Sequence, residues 1–212
     1  MARKKACYTP TRFGCVVFLF AIFLTSVVFV LTVHSFLTVN RTVEANILVV
    51  EGWTPDYATE AAVAEFTSKP YDFILVPGTP IDKGSFLVDF KNMAEVCKQT
   101  MLRLGIPEEK VIALPMPQVR KDRTYASACY VMKWLLENNV PVKGINLVTL
   151  DCHGRRSRLL YHKVFRSGCQ VGVISVADER YNPSRWWSNS SGVRTVIDEL
   201  VAWLYAMFLF NG

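Results

Sequence analysis

Beyond residue 45 the chain alternates between short apolar runs and longer stretches with helical spacing. The runs at 46–50, 73–76, 111–114, 145–150 and 171–176 are β-branched and nearly uninterrupted by polar residues. Continuity of that kind suits strands buried on both faces of a parallel sheet, where a half-exposed strand would alternate. Helical spacing predicts helices over about 56–67, 86–104, 124–138, 155–166 and 193–210. Thr54-Pro55 opens the first as a cap followed by proline, Gly105 with Pro107 closes the second, and Asp122 or Thr124 caps the third. Strand–helix alternation implies right-handed βαβ units. The expected fold is α/β, a doubly wound, mainly parallel five-stranded sheet of Rossmann-like form.

One apolar segment breaks this rhythm. No Asp, Glu, Lys or Arg occurs from Phe13 to Val39, and the run meets the roughly 20 residues a helix needs to cross a bilayer. Arg3, Lys4, Lys5 and Arg12 precede it and Arg41 follows, so the positive-inside rule places the N-terminus in the cytoplasm. A cleaved signal peptide would carry a shorter apolar core and an A-x-A-like site, which VLTVHSFLTVN lacks. The expected organisation is a cytoplasmic basic tail at 1–12, a transmembrane signal anchor at 13–37, a linker at 38–45 and an extracytoplasmic domain at 46–212. The protein would then be a single-pass protein of the cytoplasmic (inner) membrane. The last helix reads as packed on the sheet, with membrane-surface contact as the alternative.

The net charge of +6 changes little, because much of the basic excess lies in the terminal segment. The domain itself is nearly neutral, and no RNP, zinc-finger or basic-helix pattern occurs, so nucleic-acid binding is not expected. GxGxxG, Walker A, GxSxG and HExxH are absent, which removes support for common dinucleotide, nucleotide, hydrolase and zinc-protease readings. The cysteines show neither CxxC nor metal-ligand spacing; no metal is expected and no cofactor is named. An oxidising compartment would permit disulfides among Cys97, Cys129, Cys152 and Cys169, without fixing a pairing. Cys152 reads either as a small residue in a tight turn or as a nucleophile.

The candidate chemistry gathers in loops at the carboxyl edge of the expected sheet, where ligands bind in such folds. Asp151, Cys152 and His153 end the fourth strand, and Arg155 and Arg156 follow. His153 is a candidate acid, base or donor, with Glu51 or Asp151 to orient it or act as base. Arg123, Thr124 and Ser127 open the third helix, where a guanidinium, hydroxyls and free N–H groups suit a phosphate or carboxylate. Arg155 and Arg156 add cations, and Gly52 and Gly78 permit close backbone approach. The tandem Trp186-Trp187 reads as a flap that stacks on a ligand, meets the membrane interface, or packs on the last helix.

Taken as an ordered set, these residues resemble the YdcF/SanA/ElyC-like family of bacterial envelope proteins, Rossmann-like domains often carried on an N-terminal anchor. The resemblance covers about 46–176. It rests on Glu51-Gly52, Pro77-Gly78, Leu104-Gly105-Ile106-Pro107, Arg123-Thr124 with Ser127, and Thr149 followed by His153 and Arg156. The chain departs from that pattern in having Glu51-Gly52-Trp53 for a glycine-rich turn, Pro77-Gly78-Thr79 for Ser-Gly-Gly, and Ala128 for an asparagine. The implied anion grip therefore falls to the Arg123/Thr124 and His153/Arg156 corners, with Thr149 among the ligand-binding positions. The resemblance implies a role in envelope biogenesis or barrier maintenance, on an anionic, phosphate-bearing ligand such as a lipid-linked glycan. The rivals are a non-catalytic scaffold module, and a nucleotide- or S-adenosylmethionine-type enzyme of opposite topology.

Overall fold

The computed structural model describes residues 11–82 and 84–211. The expected basic tail falls mostly on residues 1–10, outside the described residues. A helix, α1 (Arg12–Leu37), leads into β1 (Ile47–Val50), α2 (Asp56–Ser68), β2 (Phe73–Gly78) and α3 (Met93–Arg103). There follow β3 (Val111–Pro115), α4 (Arg123–Glu137), β4 (Gly144–Leu150), α5 (His153–Phe165), β5 (Gln170–Val176) and α6 (Ser190–Phe208). The five strands form one parallel sheet in the order β3-β2-β1-β4-β5. The chain thus winds outward one way from β1 and then returns to the far side at β4. The switch between β1 and β4 opens a crevice at their carboxyl ends, as doubly wound sheets do.

Successive side chains of a strand point to opposite faces, and both faces are covered. Ile47 and Val49 of β1 join Leu75, Leu147, Ala128, Val131 and Tyr161 under α4 and α5. Leu48 and Val50 join Ile74, Val76, Ala62, Cys97 and Met101 under α2 and α3. Full burial on both sides is why β1 reads as an unbroken apolar run and β4 as a nearly continuous one.

The α3 helix begins at Met93, not near 86. Residues 80–92 make an excursion closed by an antiparallel bridge between Pro80 and Asn92, and Asn92 then caps the helix by accepting from the Ala94 N–H at 2.8 Å. Phe86 and Leu87, whose spacing suggested a helix, stand 99% and 88% exposed at its tip. They bury nothing, so the apolar period has no packing to reinforce it. The segment at 38–45 is likewise more than a tether. Arg41 exchanges both backbone hydrogen bonds with Val173, and Asn40 Oδ1 accepts from Ser175 N–H at 2.7 Å, so this segment covers the outer edge of β5.

α1 is long and apolar enough to cross a membrane. Its side chains are mostly exposed up to Phe29, and the domain covers only its end. Val33 and Leu37 bury against Cys152, Tyr181, Trp186 and Val196, with Val30, Leu200 and Trp203 around them.

Gly78 ends β2 where α3 approaches: a Cβ there would lie 2.3 Å from the Ala94 backbone nitrogen. Gly78→Ala must therefore push the start of α3 off the sheet. We expect it to lower the thermal unfolding midpoint of the purified full-length chain by several degrees, on the order of 2 kcal/mol, whereas Gly168→Ala, with open space around it, leaves the midpoint unchanged.

Candidate functional site

A cleft of about 530 Å³ lies at the carboxyl ends of β1, β2 and β4 and is closed on one side by α6. Of the residues singled out from sequence, Glu51, Gly78, Arg123 and Thr124 line it, as do Ser127, His153 and Arg156. The topology explains the convergence. Glu51 follows β1, His153 opens α5 one turn after β4, and Thr124 and Ser127 lie in the first turns of α4, which follows β3.

Glu199 of α6 organises the centre of the cleft. Its Oε2 accepts from Arg156 Nε at 2.8 Å, and its Oε1 accepts from Arg156 Nη2 at 3.0 Å, a bidentate pair. The same Oε1 lies 2.7 Å from His153 Nδ1. Arg156 Nη2 is also 2.8 Å from Nδ1, but a guanidinium can only donate, and its N–H is already directed at Glu199. A proton on Nδ1 donating to Glu199 satisfies all three groups. Nε2 is then the acceptor nitrogen, 3.3 Å from Arg156 Nη2, 3.4 Å from Thr124 Oγ1 and 3.6 Å from Glu51 Oε2. The edge of Trp53, 5.0 Å between ring centroids, holds the imidazole from the side.

Glu51 is 1% exposed and is not left bare. Thr149 and Ser157 both donate hydroxyl hydrogen bonds to its carboxylate. Thr149 thus acts behind the cleft wall by holding Glu51, and does not line it. Burial alone would raise the Glu199 carboxyl, but the His153 and Arg156 charges and hydrogen bonds outweigh it and hold the group down at about 2.

The cleft is less cationic than its arginines suggest. Arg156 is engaged by Glu199, and Arg180 by Asp178, which accepts from it at 2.9 Å. Arg120 and Arg123 also line the cleft, and among the described residues neither forms a salt bridge. Asp122 and Asp198 share the lining. An entering anion would therefore meet the exposed Arg120 and Arg123 first, and then the buried Thr124, which lies against His153 and Arg156.

Five other positions chosen from sequence serve different parts of the molecule. Asp151 is 1% exposed and turns away from the cleft, with φ at 43°. Its carboxylate lies 3.1 Å from His34 Nε2, accepts from Thr38 Oγ1 at 3.1 Å, and accepts from Tyr181. Burial, reinforced by this carboxylate, pushes the Tyr181 phenol far above its usual range. Arg155 donates to the Phe36 carbonyl, and its guanidinium lies 3.9 Å from the Phe36 ring centre, so it faces the end of α1. Gly52 is buried where the Pro77 carbonyl and Ala94 come close, behind the cleft wall. Cys152 sits with Asp151 on the α1 side, fully buried 3.8 Å from the Tyr181 hydroxyl, and the described cysteines are unpaired. Trp186 is buried and donates to the Val30 carbonyl at 3.0 Å, so it packs on α1.

Sequence reasoning missed Glu199, Arg120 and His34. A carboxylate inside the apolar 193–210 segment was the available signal for Glu199, since an acid there needs a partner. His34 was similarly visible as a ring in an otherwise apolar span. Nothing marked Arg120. No protein-family model and no curated protein matches this chain.

The Glu199 pairings make stability depend on acidity. Its folded value of about 2 lies below the usual 4.5, so the stabilisation is complete above about 4.5 and is lost as pH falls through about 2. Wild-type protein should lose on the order of 3 kcal/mol across that window through this group. Glu199→Gln should be less stable at neutral pH and show a flatter acid limb, measured by denaturant unfolding from pH 6 to pH 2.

Proposed function

We propose that this chain is a membrane-anchored domain that binds an anionic, phosphate-bearing ligand at the outer face of the cytoplasmic membrane and acts on it through His153. The observation that carries the reading is the Glu199–His153 pair. A largely buried carboxylate holds one ring nitrogen and leaves the other, Nε2, on the cleft that Arg120 and Arg123 also line, two arginines that form no salt bridge among the described residues. A carboxylate that fixes the tautomer and balances an imidazolium is the support a general acid–base histidine needs. Arg120 and Arg123, with the free N–H groups and hydroxyls at the start of α4, supply the complementary charge for phosphate. Thr124 Oγ1 and Glu51 flank Nε2, so a water or ligand hydroxyl held there could pass its proton to His153.

The extracytoplasmic setting is supported by Arg3, Lys4, Lys5 and Arg12 at or before the start of α1, against Arg41 alone in the flank that closely follows it. The resemblance to envelope proteins of the YdcF/SanA/ElyC type supports the same setting, and a role in envelope biogenesis or barrier maintenance. One observation favours a second reading, a non-catalytic binding module of the envelope. Arg156 and His153 already share Glu199, so the inner cleft is charge-satisfied before any ligand enters.

Titration calorimetry of the full-length chain with inorganic pyrophosphate tests the binding. Arg123→Ala and Arg120→Ala should each weaken it roughly tenfold, about 1.4 kcal/mol. Unchanged affinity in both would overturn an anion site at the cleft mouth. His153→Gln, measured in a strain lacking the chromosomal copy, separates the two readings. Loss of complementation with pyrophosphate binding retained supports catalysis, and full complementation supports the binding module. An alkaline phosphatase reporter fused after Gly212 should be active; an inactive, stable fusion would place the domain in the cytoplasm.

A further inference from the structure

The α6 helix presents a second apolar face that the fold leaves open. At 100° per residue, Val193, Ile197, Val201, Leu204 and Phe208 fall on one stripe, and all are between 38% and 72% exposed. The opposite side, with Thr195, Glu199, Ala202 and Ala206, faces the cleft. The sector between them, Val196, Leu200 and Trp203, packs on the end of α1, where Trp203 meets Phe36 edge-on at 4.9 Å. The exposed stripe is therefore continuous, around one helix, with the surface that grips α1. A monomeric soluble domain rarely leaves such a patch to water.

The length of α1 indicates what covers it. Residues 13–29 stand clear of the domain, and from Val30 onward the domain packs on the helix. Those 17 residues span only about 26 Å, while the hydrocarbon core is about 30 Å thick. Covering the remaining few ångströms with apolar surface requires the turn around Val30 to enter the bilayer boundary. Trp186, bonded to the Val30 carbonyl, and the half-exposed Trp187 stand at that level, the depth at which tryptophan concentrates.

We propose that the outer stripe of α6 is a lipid-binding face, seated in the headgroup–acyl boundary beside α1, so that the cleft opens within one helix diameter of the membrane surface. The proposal rests on α1 spanning the bilayer and not on any chemistry at His153. The same helix then divides its duties: one side meets lipid, one side holds the anchor, and one side closes the cleft.

The test places a photo-crosslinking amino acid, one position at a time, at Phe23, Ile197, Val201 and Leu136 of the full-length chain in phosphatidylglycerol–phosphatidylethanolamine nanodiscs. Adducts are identified by intact mass. Lipid adducts are expected at Phe23, Ile197 and Val201, and none at Leu136, an exposed residue on α4. A lipid adduct at Phe23 with none at Ile197 and Val201 would overturn the proposal while leaving the anchor intact. Adducts at twice the chain mass from Ile197 or Val201 would assign the stripe to a second copy and also overturn it. Failure at Phe23 would remove the anchor reading and the proposal together.

Discussion

The carboxylate of Asp151 is the joint on which both halves of the molecule depend. It sits one residue past β4 in a left-handed conformation, fully buried, and draws on His34, Thr38 and Tyr181. An ionised carboxylate cannot be buried without such partners. Those partners come from α1, the following segment and the loop before α6, so satisfying one charge brings three distant parts of the chain together. The same turn aims His153 the other way, into the cleft, because Asp151 and His153 leave it on opposite sides. The position of α1 and the direction of His153 are thus set by a single backbone feature.

Glu199 performs the matching task inside the cleft. Its two oxygens collect Arg156 and His153 and tie α5 to α6. The cost of burying that carboxylate is met by charge pairing, which also leaves the inner cleft electrostatically quiet. What remains to attract a ligand is the outer pair, Arg120 and Arg123, on a loop and a helix start whose positions do not depend on Glu199. In the proposed function, attraction and proton chemistry therefore fall to different residues.

Packing of α1 on α6 through Phe36, Trp203 and Leu200 makes the end of the long apolar helix part of the domain instead of a flexible stalk. The segment at 38–45, paired along β5, removes the remaining slack. A ligand at the cleft would therefore be held at a fixed height relative to α1.

The strands, their order of appearance, the long apolar helix and the gathering of Glu51, Arg123, Thr124, His153 and Arg156 at one sheet edge were legible in the sequence. Each follows from local periodicity and from the rule that parallel strands present their following loops on one side. Tertiary structure alone decided the rest. The turn at 151–153 sends adjacent residues in opposite directions, which no linear pattern encodes. The excursion at 80–92 shows helical spacing without a surface to pack on. Glu199 and His34 acquire their roles from partners 46 and 117 residues away. Apolar periodicity is a property of neighbours along the chain. The pairing of a buried charge is settled by whatever the fold brings beside it.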